Sequence, residues 1–207
     1  MNKLQDLTIK EFLEKTYGKE PVPGGGSVSA LCGALAASLG EMVTALTIGR
    51  KKYLNVEQEM LLYAPKMEQA RHKFLDFIDR DAEAYQLVFN AFKLPKETEE
   101  EQKFRNDEIQ NATLKAALVP LQVAETAVDI MGTIFEIGSK GNKNAVTDAC
   151  VAMMCARTAA LGAILNVRIN LTGLEDKDKA KELENRCMAL QDEAQVREAS
   201  LLDTVTF

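Results

Sequence analysis

The sequence predicts an all-α protein, an up-and-down helix bundle folded as one domain over residues 1–207. Three observations predict it. No stretch sustains the period-two alternation of a half-buried strand. Six segments carry apolar residues at helical spacing, bounded by capping or breaking residues. The composition, 46% hydrophobic and 27% charged with only 6% aromatic residues, is that of a globular chain rich in good helix formers.

Thr8-Ile9-Lys10-Glu11 is a capping box, in which a hydroxyl and a carboxylate satisfy amides left free at a helix start; it opens a short helix ending at Gly18. Pro21 to Ser27 cannot be helix interior, because Pro23 disfavours helical Val22 and three consecutive glycines are costly there. Ser27 is expected to cap a helix running to about Gly49. Asn55, with Gln58 three residues on, is expected to cap a long helix to about Phe92 that Pro65 should kink. After Lys93-Leu94-Pro95, a second capping box, Thr98 to Glu101, starts another long helix, kinked near Pro120 and stopped at Gly138. Residues 141–144 read as a polar loop, 145–170 as the most buried helix and 174–202 as a surface-facing one.

Twenty-five Lys and Arg against 31 Asp and Glu give a net charge of −6, which repels a phosphate backbone and argues against nucleic acid as a partner. A single histidine, His72, excludes His-dependent triads and zinc sites needing two imidazoles. Acid/base chemistry falls to carboxylates, lysines or tyrosines. Cys32, Cys150, Cys155 and Cys187 form no C-x-x-C pair and sit in apolar stretches, so they read as free thiols of a reduced, cytoplasmic protein. The first residues have no apolar signal region, and the apolar run from Ala30 to Gly49 is broken by Ser38 and Glu41. The expectation is a chain neither secreted by that route nor spanning a membrane.

Polar residues that break the apolar pattern mark candidate sites. Phe74, Ile78, Tyr85, Val88, Phe89 and Phe92 lie on one helical stripe, and steps of three and four place Asp81 in its middle. Asp79, Glu83 and Gln86 fall on the expected solvated side. Desolvation would raise the Asp81 pKa and fit it for proton transfer near neutrality; the structural alternative is a carboxylate paired with a buried Arg or a helix N-terminus.

A second stripe runs Asp148, Ala152, Cys155, Ala159, Gly162, Asn166 and Asn170. Its carboxylate and amides suit a flat polar ring, and its small centre equally suits helix packing with Asn170 as a terminal cap. Ala30, Gly33, Ala34, Ala37 and Glu41 form a comparable small-residue face, for packing within the subunit or against a second copy. The glycine run lacks the Lys of a P-loop and follows no strand, leaving a tight turn or a helix N-terminus receptive to an anion or carbonyl oxygen. Arg50-Lys51-Lys52, with Lys140 and Lys143, reads as solvated charge or as a receptor for a carboxylate-rich tail.

These motifs occur together in one known family. Pro21 to Val28, Thr47-Ile48-Gly49-Arg50-Lys51-Lys52-Tyr53, Asp81-Ala82-Glu83-Ala84-Tyr85, Leu94-Pro95-Lys96 and Asn166 to Leu171, with Gly141 to Asn144 and Thr147-Asp148, resemble the cyclodeaminase/cyclohydrolase family of folate enzymes. The resemblance implies a helical homodimer that binds folate near the glycine loop and the subunit contact. It also implies chemistry on the one-carbon unit between N5 and N10 of tetrahydrofolate. Asp81 becomes the expected catalytic residue. Pro23, Gly24, Gly25, Gly26, Ser27, Lys51, Lys52, Tyr85, Asn144, Asp148, Asn166 and Asn170 become the expected substrate-binding set.

No metal or cofactor is implied beyond the tetrahydrofolate substrate, whose tail can be polyglutamylated. Without the formiminotransferase domain to which animal cyclodeaminases are fused, the lean is to methenyltetrahydrofolate cyclohydrolase. Formimidoyltetrahydrofolate cyclodeaminase is the alternative, and a non-catalytic folate-binding homodimer the third reading.

Overall fold

The computed structural model describes residues 3–205. Six α-helices are present among them, α1 (Ile9–Thr16), α2 (Gly25–Thr47), α3 (Glu57–Ala91), α4 (Glu99–Lys140), α5 (Val146–Leu171) and α6 (Lys177–Leu202). Short 3₁₀ turns stand at Leu4–Asp6, Lys51–Tyr53 and Lys143–Ala145, and no strand occurs among the described residues. α2 packs on α3 and α5, α4 on α3 and α5, and α6 closes the far side against α4 and α5. α5 is thus the central helix, and Ala149, Ala152, Ala156, Ala159, Ala160 and Ala163 let its neighbours approach closely with no exposed surface of their own.

Both expected capping boxes form. Thr8 accepts the Glu11 amide and Thr98 the Glu101 amide, while each glutamate reaches back to the cap amide. Ser27 and Asn55 do not cap. α2 begins earlier, with Gly24 as its cap residue and no side-chain cap bond, because the acceptor near its first turn comes from α3. The chain before α3 is already wound into the Lys51–Tyr53 turn, so Val56 is the cap and Glu57 instead accepts the amide of Gly49, whose φ of +75° lets the chain reverse.

α3 and α4 run on through Pro65 and Pro120, and α4 passes Gly138 to end at Lys140. The carbonyl four residues before Pro65 belongs to Leu61, which is 47% exposed and open to water. The one before Pro120 belongs to Ala116 and is taken by the Asn170 side-chain amide at 3.1 Å.

Two faces differ from the sequence expectation. Asp79, placed on the solvated side by periodicity, is buried: it accepts the Leu4 amide and the Gln5 side-chain amide, both at 2.6 Å, as the N-terminal turn docks on α3. Ala30, Ala34 and Ala37 are buried within one chain, and a Cβ on Gly33 would overlap the Phe74 ring. That small-residue face therefore packs internally, and a larger residue at Ala34 would overpack the core instead of parting two subunits. The four cysteines are free thiols, and burial pushes Cys187 up to about 11.

Three helical stretches, Gly25–Thr47, Glu99–Lys140 and Lys143–Leu171, are long and apolar enough to cross a membrane by length and composition, contrary to the reading of the Ala30 to Gly49 run. Half of each apolar window is buried inside the bundle.

Candidate active site

The N-terminus of α2 meets α3 at Asp81. Ser27, fully buried, places its hydroxyl 2.9 Å from Asp81 Oδ2. Gly26 lies so close that a Cβ there would overlap the Asp81 carboxylate, so only glycine lets the two helices meet at this point. Here the sequence alternatives converge: Asp81 faces a helix N-terminus, as the structural reading held, and is also held in a desolvated corner. Burial pushes its carboxyl above the ordinary aspartate value, and hydrogen bonds from the Ser27 hydroxyl and amide offset part of that rise.

Ser27 has one hydroxyl hydrogen and two acceptors in reach, Asp81 Oδ2 and the Ile78 carbonyl at 3.2 Å. With Asp81 ionised, the hydroxyl donates to the carboxylate. With Asp81 protonated, the carboxyl donates to Ser27 Oγ and the hydroxyl turns to Ile78. Both protonation states are thus hydrogen-bonded without backbone movement, a useful property in a proton-transfer group.

α5 supplies the opposite wall. A Cβ on Gly25 would stand 3.2 Å from Asn166 Nδ2, in contact with that side chain, and a Cβ on Gly162 would overlap the Ser29 hydroxyl, so small residues bring α2 and α5 together here. Asn166 donates to its own helix, to the Gly162 carbonyl at 2.8 Å, which leaves its amide oxygen as the acceptor beside the glycine run. Asn170 is not a terminal cap: besides Ala116 it donates to the Asn166 carbonyl, tying α5 to α4. Arg168 fixes the far side of the same turn through Glu184 and Gln191 on α6. Pro23, which follows a cis peptide bond, is buried beneath the loop, and Tyr85 stands one helical turn beyond Asp81, half exposed.

One chain thus brings together Pro23, Gly24, Gly25, Gly26, Ser27, Asp81, Tyr85, Asn166 and Asn170. It does not bring Lys51, Lys52, Asn144 or Asp148 to them. Lys51 and Lys52 follow the other end of α2, about 30 Å from Ser27 at 1.5 Å per helical residue. Asn144 is beside them, where Asn142 donates to the Leu46 carbonyl and the Lys143 amide donates to the Tyr53 hydroxyl. Asp148 lies in the first turn of α5, about 27 Å along that helix from Asn166. Sequence spacing placed each group on a face but carried no information on which end of the bundle it would occupy. Sequence reasoning also missed the pairing of Ser27 with Asp81, for which the only signal was that both stood in motifs.

The model of the Formiminotransferase-cyclodeaminase family matches residues 8–189. A methenyltetrahydrofolate cyclohydrolase of Methylorubrum extorquens is 36% identical over 198 residues, covering 96% of this chain and 95% of that protein. The formimidoyltransferase-cyclodeaminase of Rattus norvegicus is 32% identical over 98% of this chain, which spans only 37% of the rat protein. Among solved structures, a formiminotetrahydrofolate cyclodeaminase from Thermotoga maritima superposes with a TM-score of 0.86 at 30% identity, covering 97% of this chain and 98% of that one. A family match over most of the chain, a relative 36% identical along nearly its full length and the same all-helical architecture lead to one conclusion: this chain belongs to the formiminotransferase-cyclodeaminase family.

Proposed function

We propose that this chain is a methenyltetrahydrofolate cyclohydrolase, interconverting 5,10-methenyltetrahydrofolate and 10-formyltetrahydrofolate. The observation that carries this reading is Asp81, a desolvated carboxylate hydrogen-bonded to Ser27 beside the glycine run. Its similarity along nearly the full length of a cyclohydrolase supports the choice of reaction. Water adds to the methenyl carbon as Asp81 accepts one of its protons. The C–N5 bond of the resulting tetrahedral carbon then breaks as Asp81 returns that proton to N5, while the hydroxyl proton leaves to solvent and the formyl group stays on N10.

The cyclodeaminase reading draws on the Thermotoga maritima likeness. There N10 attacks the formimidoyl carbon, and the same carboxylate relays the N10 proton to the departing ammonia. The methenyl absorbance separates the readings, followed once from methenyltetrahydrofolate and once from the 5-formimidoyl compound. Cyclohydrolase is expected to turn over the first by far the faster. Faster production of methenyl from the second would make it a cyclodeaminase, and turnover of neither a folate-binding protein.

The active form in this reading is a homodimer, formed through a different face from the buried Ala34 stripe. Leu35, Met42 and Leu46 on α2 and Val151, Met154, Leu165 and Ile169 on α5, two helices packed on each other, are exposed apolar side chains that would supply this face; Leu165 and Ile169 are 64% and 67% exposed. A two-fold axis perpendicular to these helices pairs the face antiparallel. The Lys51, Lys52, Asn144 and Asp148 end of one subunit then lies by the Asp81 end of the other, where its lysines meet the glutamyl tail of a polyglutamylated folate. Mixing two variants tests this with polyglutamylated substrate at low concentration: Asp81→Asn, which does not turn over, combined with the double variant Lys51→Glu and Lys52→Glu, which binds that substrate weakly, is expected to restore its turnover at one site in each mixed dimer. No recovery in mixed dimers would show that each chain works alone.

A further inference from the structure

α3 overhangs α2. The glycine run ends α2 opposite Asp81, whereas α3 continues to Ala91, so the apolar stripe that buries Phe74 and Ile78 loses its packing partner. Tyr85 and Phe89 emerge on it 40% and 44% exposed, with their rings 16° from parallel and centroids 6.4 Å apart. Lys93 holds its ammonium 3.9 Å from the Phe89 centroid and pairs with no carboxylate among the described residues. Phe92, the next aromatic, is already faced by the Arg105 guanidinium, so the shelf ends at Phe89.

We propose that this shelf binds the tail of the substrate, with the benzoyl ring stacked on Tyr85 and Phe89 and the first glutamate carboxylate on Lys93. The assignment rests on the folate reading above and extends it from Tyr85 to Phe89 and Lys93, which lie outside the motifs. Outward along α3 and into the turn that follows it the order is carboxylate, tyrosine, phenylalanine, ammonium, with Asp81, Tyr85 and Phe89 spaced about 6 Å per step on the helix. Folate read outward from its reactive carbon presents a one-carbon bridge, a flat benzoyl ring and a carboxylate in the same order. A planar amide-conjugated ring gains stacking on an aromatic face, and an ammonium at its end gains a charge-assisted bond to the carboxylate. A second copy of the chain, which would cover the shelf equally with apolar surface, leaves the placement of Lys93 without a purpose.

The test is equilibrium binding by calorimetry, using 5-formyltetrahydrofolate and its analogue without glutamate, 5-formyltetrahydropteroate. Phe89→Ala is expected to weaken both ligands about tenfold, and Phe89→Tyr neither. Lys93→Gln is expected to weaken the glutamyl ligand about threefold to tenfold and to leave the pteroate unchanged. Unchanged binding in Phe89→Ala, equal loss of both ligands in Lys93→Gln, or a dimer lost in either variant by sedimentation overturns the shelf. Failure of the parent reading looks different: wild type that binds 5-formyltetrahydrofolate through Phe89 and Lys93 yet turns over no folate keeps the shelf and loses the enzyme. Wild type that turns over methenyltetrahydrofolate while the variants bind normally does the reverse. Wild type that binds neither ligand and turns over no folate ends both.

Discussion

Asp81→Asn is expected to lower turnover about a hundredfold or more, the usual scale for losing a general acid/base, while leaving the bundle folded. Asn keeps the shape and still accepts the Ser27 hydroxyl, but it does not titrate. The acid limb of the wild-type pH–rate profile, set by protonation of Asp81, should disappear with it. Stability should move the other way. Burial holds the Asp81 carboxyl above its ordinary value, so the native state binds that proton more tightly than the unfolded chain does. Stability therefore falls as pH rises from the ordinary aspartate range through the folded value, and the penalty is complete above it. At neutral pH the Asn variant should be at least as stable as wild type, with the gap closing below about pH 3.9. Urea melts at the two pH values measure this. A variant that stays active but melts several kcal/mol earlier would make Asp81 a structural partner of the α2 N-terminus and no catalyst.

Gly26→Ala is expected to be as damaging as loss of the carboxylate itself, although it adds one methyl group. Gly to Ala at a compatible position commonly stabilises a protein by about 0.4–1 kcal/mol. Here the new Cβ overlaps the Asp81 carboxylate, so α2 or the carboxylate must shift, and displacement of about 1 Å in a reacting group costs on the order of a hundredfold in rate. The variant should also unfold more easily than wild type. Combining it with Asp81→Ala removes the overlap, so the double variant should recover stability without recovering activity. A Gly26→Ala enzyme with near-normal kcat would show that the close approach of these helices is not needed for the chemistry.

The amino-acid sequence by itself determined where helices begin when the cap is local. Thr8 with Glu11 and Thr98 with Glu101 are complete within four residues, and both form. It also determined that Asp81 faces inward, since helical periodicity needs only the spacing of Phe74, Ile78 and their neighbours. What periodicity cannot hold is the length of the partner helix or the axial register between two helices. Tyr85 and Phe89 share the stripe of Phe74 yet emerge into the open because α2 ends at the glycine run. Asp79 is buried because a segment some 75 residues away docks on it. Asn170 ties α5 to α4 because Pro120 leaves the Ala116 carbonyl without an amide donor, a match made only when those helices lie side by side. Lys51, Lys52, Asn144 and Asp148 stand far from Asp81 because α2 is 23 residues of unbroken helix. Local spacing sets the face a residue occupies, whereas helix length and long-range packing set its height along the bundle, and a site forms only where both agree.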